Sequence, residues 1–268
     1  MITRFLREFI DRFIQDRVLD LAAQLAYYFL LSLFPFLFLV FNTMGYLPFS
    51  SEQILDLIHP YAPPSTYELI KSNLVQILDV KNGRALSLSV LASLYLASLA
   101  FQSIIRALNR AYRVKQTRSV WADIVLGLFL MFGLFVALIF SLLLPIIGQI
   151  IGEFSVYLFG LDPTYFIWNT IHWLISSLVI WLVFLCLYIF APNTKVRFYQ
   201  ALPGAIFATL GWQISSFGFS YYVSINNYTL LYGNLGGIMI LVGWFYVSAF
   251  VLIIGGQINA ILCQLSKK

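Results

Sequence analysis

Arg106, Arg110, Arg113, Lys115 and Arg118 form the densest basic cluster in the chain. The first three repeat at four and three residues, so they share one face of a helix. Guanidinium groups in a row can grip phosphate with paired hydrogen bonds, which makes a lipid-headgroup or phosphate site one use of the cluster. The plainer use is to fix topology among anionic headgroups. A second set of residues is polar but uncharged: Gln24, Tyr28 and Ser32 ahead of Pro35; Tyr95, Ser98 and Gln102 ahead of Arg106; Gln213, Ser216 and Ser220; and Ser248 and Asn259 around Gly255. Each group follows one helical face. Such stripes either join helices by hydrogen bonds or line a solvated pathway for an amphipathic substrate, and both uses draw on the same residue types.

Other chemistries lack their parts. The chain has two histidines, His59 and His172, and two cysteines, Cys186 and Cys263, none in the spacing of a metal site. Both cysteines read as small apolar residues. His172 reads as a structural hydrogen-bonding residue or, more sharply, a proton carrier. No glycine-rich phosphate loop occurs. The only ionisable acids and bases over 124–194 are Glu153, Asp162 and His172, and 198–266 contain no Lys, Arg, Asp, Glu or His. Metal-dependent hydrolysis and carboxylate proton relays are therefore disfavoured, no metal or other cofactor is expected, and the expectation is a protein that is not an enzyme.

The positioning elements follow from composition. Of 268 residues 61% are apolar and 10% charged, against roughly 45–50% and about 25% in soluble proteins. That excludes a water-soluble globule. Six mostly apolar stretches are long enough to cross the hydrocarbon layer as helices, at about 19–44, 85–107, 121–147, 166–190, 199–223 and 235–262. The fold class is all-α, a polytopic membrane protein forming a single domain over 1–268. Residues 1–18 form an amphipathic helix with balanced charges, either lying at the membrane interface or serving as a partner-binding arm. The 45–84 loop carries helical spacing over 51–59 and 65–80, a cap or a gate on the outer face. Pro35, Pro145, Pro203 and the glycine-rich run 232–237 interrupt or open spans, as cavities or close packing require.

Thirteen of the 16 basic residues fall in the connections on one side and three on the other. By the positive-inside rule both termini are cytoplasmic. The net charge of +5 then expresses topology, and no nucleic-acid partner is expected. Small-residue positions such as Ala201, Ala205 and Thr209 suit packing within one chain or a homo-oligomer.

The run 22–41 (AAQLAYYFLLSLFPFLFLVF), the run 103–114 (SIIRALNRAYRV) with Arg118 and Trp121, and the carboxyl-end positions Pro203, Gly204, Trp212, Tyr232, Gly233, Trp244, Tyr246 and 255–259 resemble the YihY/virulence factor BrkB family of bacterial inner-membrane proteins. The resemblance covers nearly the whole chain. It implies a six-helix protein of the cytoplasmic membrane, linked to envelope integrity and serum resistance, with some members suspected of exporting lipids or other envelope components. A former ribonuclease label in that family finds no nuclease metal site here. The expected partners are membrane lipids and a lipid or amphipathic substrate. The leading expectation is thus a transporter or translocator of a lipid or other envelope-related substrate; the alternative is a non-transporting envelope scaffold.

Overall fold

The computed structural model describes residues 2–44, 83–119, 121–133, 136, 164–225 and 236–266. Residues 45–82, which hold the two short helices expected in the 45–84 loop, together with His59, Pro145 and the glycine-rich run up to residue 235, lie outside the described residues. Among those described there are seven helices and no strand. They are α1 (Ile2–Gln15), α2 (Val18–Met44), α3 (Gly83–Ala111), α4 (Trp121–Gly133), α5 (Thr164–Phe190), α6 (Phe198–Ile225) and α7 (Gly236–Leu265).

Local chemistry sets the helix ends. α1 stops where Arg17 adopts φ 51° and its N–H donates to Ile14 O at 3.1 Å, and α2 begins at the next residue. α3 closes with a Schellman turn: Arg113 N–H donates to Arg110 O at 2.9 Å and Val114 N–H to Asn109 O at 3.0 Å, with Arg113 at φ 55°. Glycine ordinarily fills such left-handed positions, and a side chain there costs about 1 kcal/mol. Here both are arginine. Ser119 caps α4 by accepting from Ala122 N–H at 3.3 Å.

Among the described residues four stretches are long and apolar enough to cross a membrane: Val18–Phe36, Val90–Ala111, Trp173–Phe190 and Gly236–Leu265. The described part of α4 is too short to count. α6 has the length and no charge, but its glycines, serines, tyrosines and Gln213 keep its hydropathy below that of its neighbours.

The chain forms two compact units, 28–97 and a larger one of 1–27 with 98–268. In the first, Ser32 Oγ donates to Phe29 O at 2.9 Å within α2. In the second, α6 runs antiparallel to both α5 and α7. Its core is built from small and aliphatic residues, including Ala201, Ala205 and Ala208 of α6 and Ile253 and Ile261 of α7. The outward faces are apolar as well: Trp121, Val125 and Phe129 on α4, and Leu210, Ile214 and Phe217 on α6, the last 80% exposed. Water would penalise such continuous apolar surface, whereas lipid requires it.

Candidate functional site

At one end of the larger unit the α1–α2 corner, the end of α3 and its following loop, the α5–α6 corner and the end of α7 come together, and the basic connections meet there. Their centre is Arg12, wholly enclosed. Its Nη1 donates to Ala111 O at 3.0 Å, and its Nη2 donates to Glu8 Oε1 at 3.2 Å and to Gln264 Oε1. One guanidinium therefore ties α1 to the last carbonyl of α3 and to the end of α7. Phe13, one residue on, meets Phe250 of α7 edge to face at 6.2 Å.

One turn further, Asp16 Oδ2 accepts from Gln257 Nε2 at 3.2 Å. Arg110 donates to Asp16 O at 3.4 Å and Arg113 to Gln15 Oε1 at 3.3 Å. Burial raises the Asp16 carboxyl above the usual aspartate range, outweighing the opposing pull of Arg113, Arg12 and Arg110 and of the Gln257 hydrogen bond. A carboxyl raised on folding stabilises the fold below the usual aspartate pKa and loses that contribution as pH rises through the raised value. Asp16→Asn, held neutral, is expected to flatten the fall in melting temperature from acid to neutral pH. Parallel pH profiles for the two proteins in detergent would refute this assignment. Beside this network the Tyr112 phenol is buried, has no hydrogen-bond partner among the described residues, and is raised by that burial.

A second set of bonds locks corner to corner. Asn193 N–H donates to Asn109 Oδ1 at 2.6 Å, and Asn193 Nδ2 donates to Lys115 O at 3.0 Å and Thr117 Oγ1 at 2.7 Å. Arg118 donates to Phe190 O at 3.4 Å, Ala191 O at 3.1 Å and Pro192 O at 3.0 Å, covering the last carbonyl of α5 and the two that follow it. Buried Asp123 accepts from Gln116.

Where α6 crosses α7 the backbones touch. A Cβ on Gly204 would run into Gly255 O and the Asn259 side chain, and one on Gly255 would come within 2.8 Å of Gly204 O. Pro203 has no N–H to give, and next to it Gly204 N–H donates to Asn259 Oδ1 at 2.6 Å while Asn259 Nδ2 donates to Ala201 O at 3.0 Å. Tyr188 of α5 braces the same crossing, its hydroxyl donating to Leu252 O at 2.8 Å.

The residues read as a pathway divide. Asn259 is buried with both amide groups bonded in this crossing. Ser216 Oγ returns to Trp212 O at 2.7 Å on its own helix. Gln213 Nε2 donates to Ser177 Oγ at 2.7 Å, a polar pair between α5 and α6. Ser248 Oγ is buried with no partner among the described residues. Ser98 is buried, Gln102 half-buried and Gln24 exposed in the larger unit, while Tyr28, Ser32 and Tyr95 belong to the smaller one. Of the basic cluster, Arg106, Arg110, Arg113 and Lys115 are exposed, whereas Arg118 is half-buried as a helix cap. Cys186 and Cys263 are free thiols. Sequence reasoning did not single out Ser177, Tyr188 or Asn193. It counted Arg12 among the balanced charges of an interfacial amphipathic helix, where the structure encloses it between helices.

The profile of the Virulence factor BrkB family matches residues 9–268. A ribonuclease-like protein, YfkH of Bacillus subtilis strain 168, is 40% identical over 265 residues, covering 98% of this chain and 96% of its own. UPF0761 membrane proteins of Tolumonas auensis and Pseudoalteromonas translucida are 30% and 29% identical, covering 97% and 94% of this chain and 85% and 84% of theirs. No solved structure matches the chain. With its apolar helices and a family match over nearly its full length, the chain is a membrane protein of the BrkB family.

Proposed function

We propose that the protein is a six-span protein of the bacterial cytoplasmic membrane, with both termini cytoplasmic, that translocates a lipid or another envelope-related amphipathic substrate without acting as an enzyme. The observation that carries this reading is α6. It is as long as the spans beside it and carries no charge, yet its hydropathy is lower than theirs, and it places half-buried Gln213 and Ser216 on its length. The polar side of such a helix suits protein or solvated surroundings while its apolar side meets lipid, and a neutral amide can hydrogen-bond a headgroup while the acyl chains remain in the bilayer. The orientation rests on the thirteen-to-three distribution of bases.

Proteoliposomes carrying fluorescent phospholipids over a wide headgroup panel test the reading. Transbilayer movement above that of protein-free vesicles, slowed several-fold by Gln213→Leu, is the expected result. No movement for any headgroup would reject it.

The name of the Bacillus subtilis relative suggests ribonuclease chemistry as a competitor. Against it, the described carboxylates are mostly engaged: Glu8 with Arg12, Asp20 with Arg17, Asp16 with Gln257 and Asp123 with Gln116. The scaffold reading draws on the satisfied bonds of Asn259, which leave that polar residue nothing to offer a substrate. Stable stoichiometric partners crosslinked in native membranes, together with no lipid movement, would favour it.

A further inference from the structure

The amide of Gln257 is half used. Its side chain is enclosed on α7, where Nε2 donates to Asp16 Oδ2 of the α1–α2 corner at 3.2 Å, while Oε1 is buried with no partner among the described residues. Buried acceptors are rarely left bare. Asp16 itself can supply the donor, in one of its two states. An ionised carboxylate only accepts, so its second oxygen would repel Gln257 Oε1, whereas a protonated carboxyl carries an O–H. Carboxyl and carboxamide are matching planar forks. With Nε2–H on Oδ2, a proton on Oδ1 can reach Oε1 and close a ring of two hydrogen bonds between the corner and α7.

The charges around Asp16 favour its other state. Burial holds the carboxyl toward its neutral form, against Arg113 and Arg110 at the end of α3 and Arg12 one turn back on α1. Arg12 is already committed to Glu8, Gln264 and Ala111 O, and Arg17 to Asp20 at 2.7 Å. Arg110 and Arg113 instead rest on neutral oxygens of the same corner: the Asp16 carbonyl at 3.4 Å and the Gln15 amide oxygen at 3.3 Å. α7 faces the carboxyl with Gln257 and has no charged residue. Tyr112 beyond α3 and Cys263 of α7 can titrate as well, and these two lie near each other. An ionised Asp16 thus has two guanidinium groups docked beside it, on its own residue and the one before. Being half-buried, Asp16 can exchange its proton with water.

We propose that Asp16 and Gln257 form a proton-operated latch. With Asp16 protonated, two hydrogen bonds hold the α1–α2 corner to α7; with Asp16 ionised, the carboxylate leaves Gln257 for Arg110 and Arg113 at the end of α3. Acid closes the latch, and rising pH opens it. The device is independent of the translocation reading and of the orientation assigned to the chain.

The test is hydrogen-exchange mass spectrometry of the full chain in mild detergent from acid to neutral pH, corrected for the intrinsic pH dependence of amide exchange and read on peptides across the α1–α2 corner. Wild-type protection should fall in a step of about tenfold as pH rises, the worth of one hydrogen bond. Asp16→Asn presents an N–H where the acid presents its O–H, so it should stay protected throughout. Gln257→Met should lack the protection on the acid side. Arg110→Gln/Arg113→Gln removes the partners of the ionised state, so the step should move to higher pH. The absence of a step in wild type overturns the proposal, as does a step that persists in Asp16→Asn. A step that the arginine pair leaves in place or moves to lower pH overturns it too. Loss of protection in Asp16→Asn at every pH would mean that the carboxylate holds the corner, and would equally reject the latch.

Discussion

Asn259→Leu is expected to cost the fold about 3 kcal/mol, since the substitution removes two buried amide–backbone hydrogen bonds at about 1–1.5 kcal/mol each and puts a branched side chain where helices touch. Gly204 N–H loses its side-chain acceptor at 2.6 Å and Ala201 O its side-chain donor at 3.0 Å. Neither can turn to water, because Ala201, Gly204 and Asn259 are all buried. Gly204→Ala attacks the same crossing from the other side. Its Cβ would meet the Gly255 carbonyl, which is backbone and cannot swing away, so α6 and α7 would have to separate. Asn259→Asp should fall between wild type and Asn259→Leu: it keeps an acceptor for Gly204 but turns a second oxygen toward Ala201 O. Thermal unfolding in detergent, with size-exclusion chromatography for assembly, ranks the three variants. If Asn259→Leu melts with wild type, the crossing does not depend on this amide.

Arg12→Leu should destabilise by about 3 kcal/mol and free α1 from the rest of its unit. Removing one member of a buried ion pair typically costs 3–5 kcal/mol. The lower end applies because Glu8 keeps 30% of its side-chain surface and can recover some hydration. Ala111 O, being enclosed, has no such recourse, and a terminal helix carbonyl left open adds its own penalty. Arg12→Lys keeps the charge but not the flat fork that serves three acceptors on α1, α3 and α7, so it should recover only part of the loss. Protease cleavage around Asp16 and Arg17 reports release of α1 directly. Cleavage at the wild-type rate in Arg12→Leu would show that α1 is held by Phe13 and its neighbours instead.

Much of the architecture was legible in the chain because the membrane makes hydrophobicity nearly sufficient. The stretches expected at 166–190, 199–223 and 235–262 appear as helices Thr164–Phe190, Phe198–Ile225 and Gly236–Leu265. The basic connections, sorted to one side by counting charges, do meet at one end of the larger unit. Partners were not legible. Asn259 and Gln213 look alike as uncharged polar residues in spans, yet Asn259 bonds the backbone of α6 on either side of Pro203 while Gln213 pairs with Ser177 across helices. Nothing in the spacing of either amide tells which it will meet. Arg12 shows the same limit from the charged side. Helical periodicity sets it on the flank of α1 that also carries Glu8, and only the arrival of α3 and α7, distant in sequence, turns that flank inward.

The contact between α6 and α7 has a mechanical consequence. It is continuous, from the Gly204–Gly255 touch, through Gly211 against Val251 with a built Cβ at 3.1 Å, to Trp212 and Phe219 on Trp244 at 5.6 and 5.4 Å. A seam filled along its length and stapled at one end has no slack in which to slide or hinge. The two helices must travel as one rigid lever, so any working stroke of this protein takes place on the other faces of the pair.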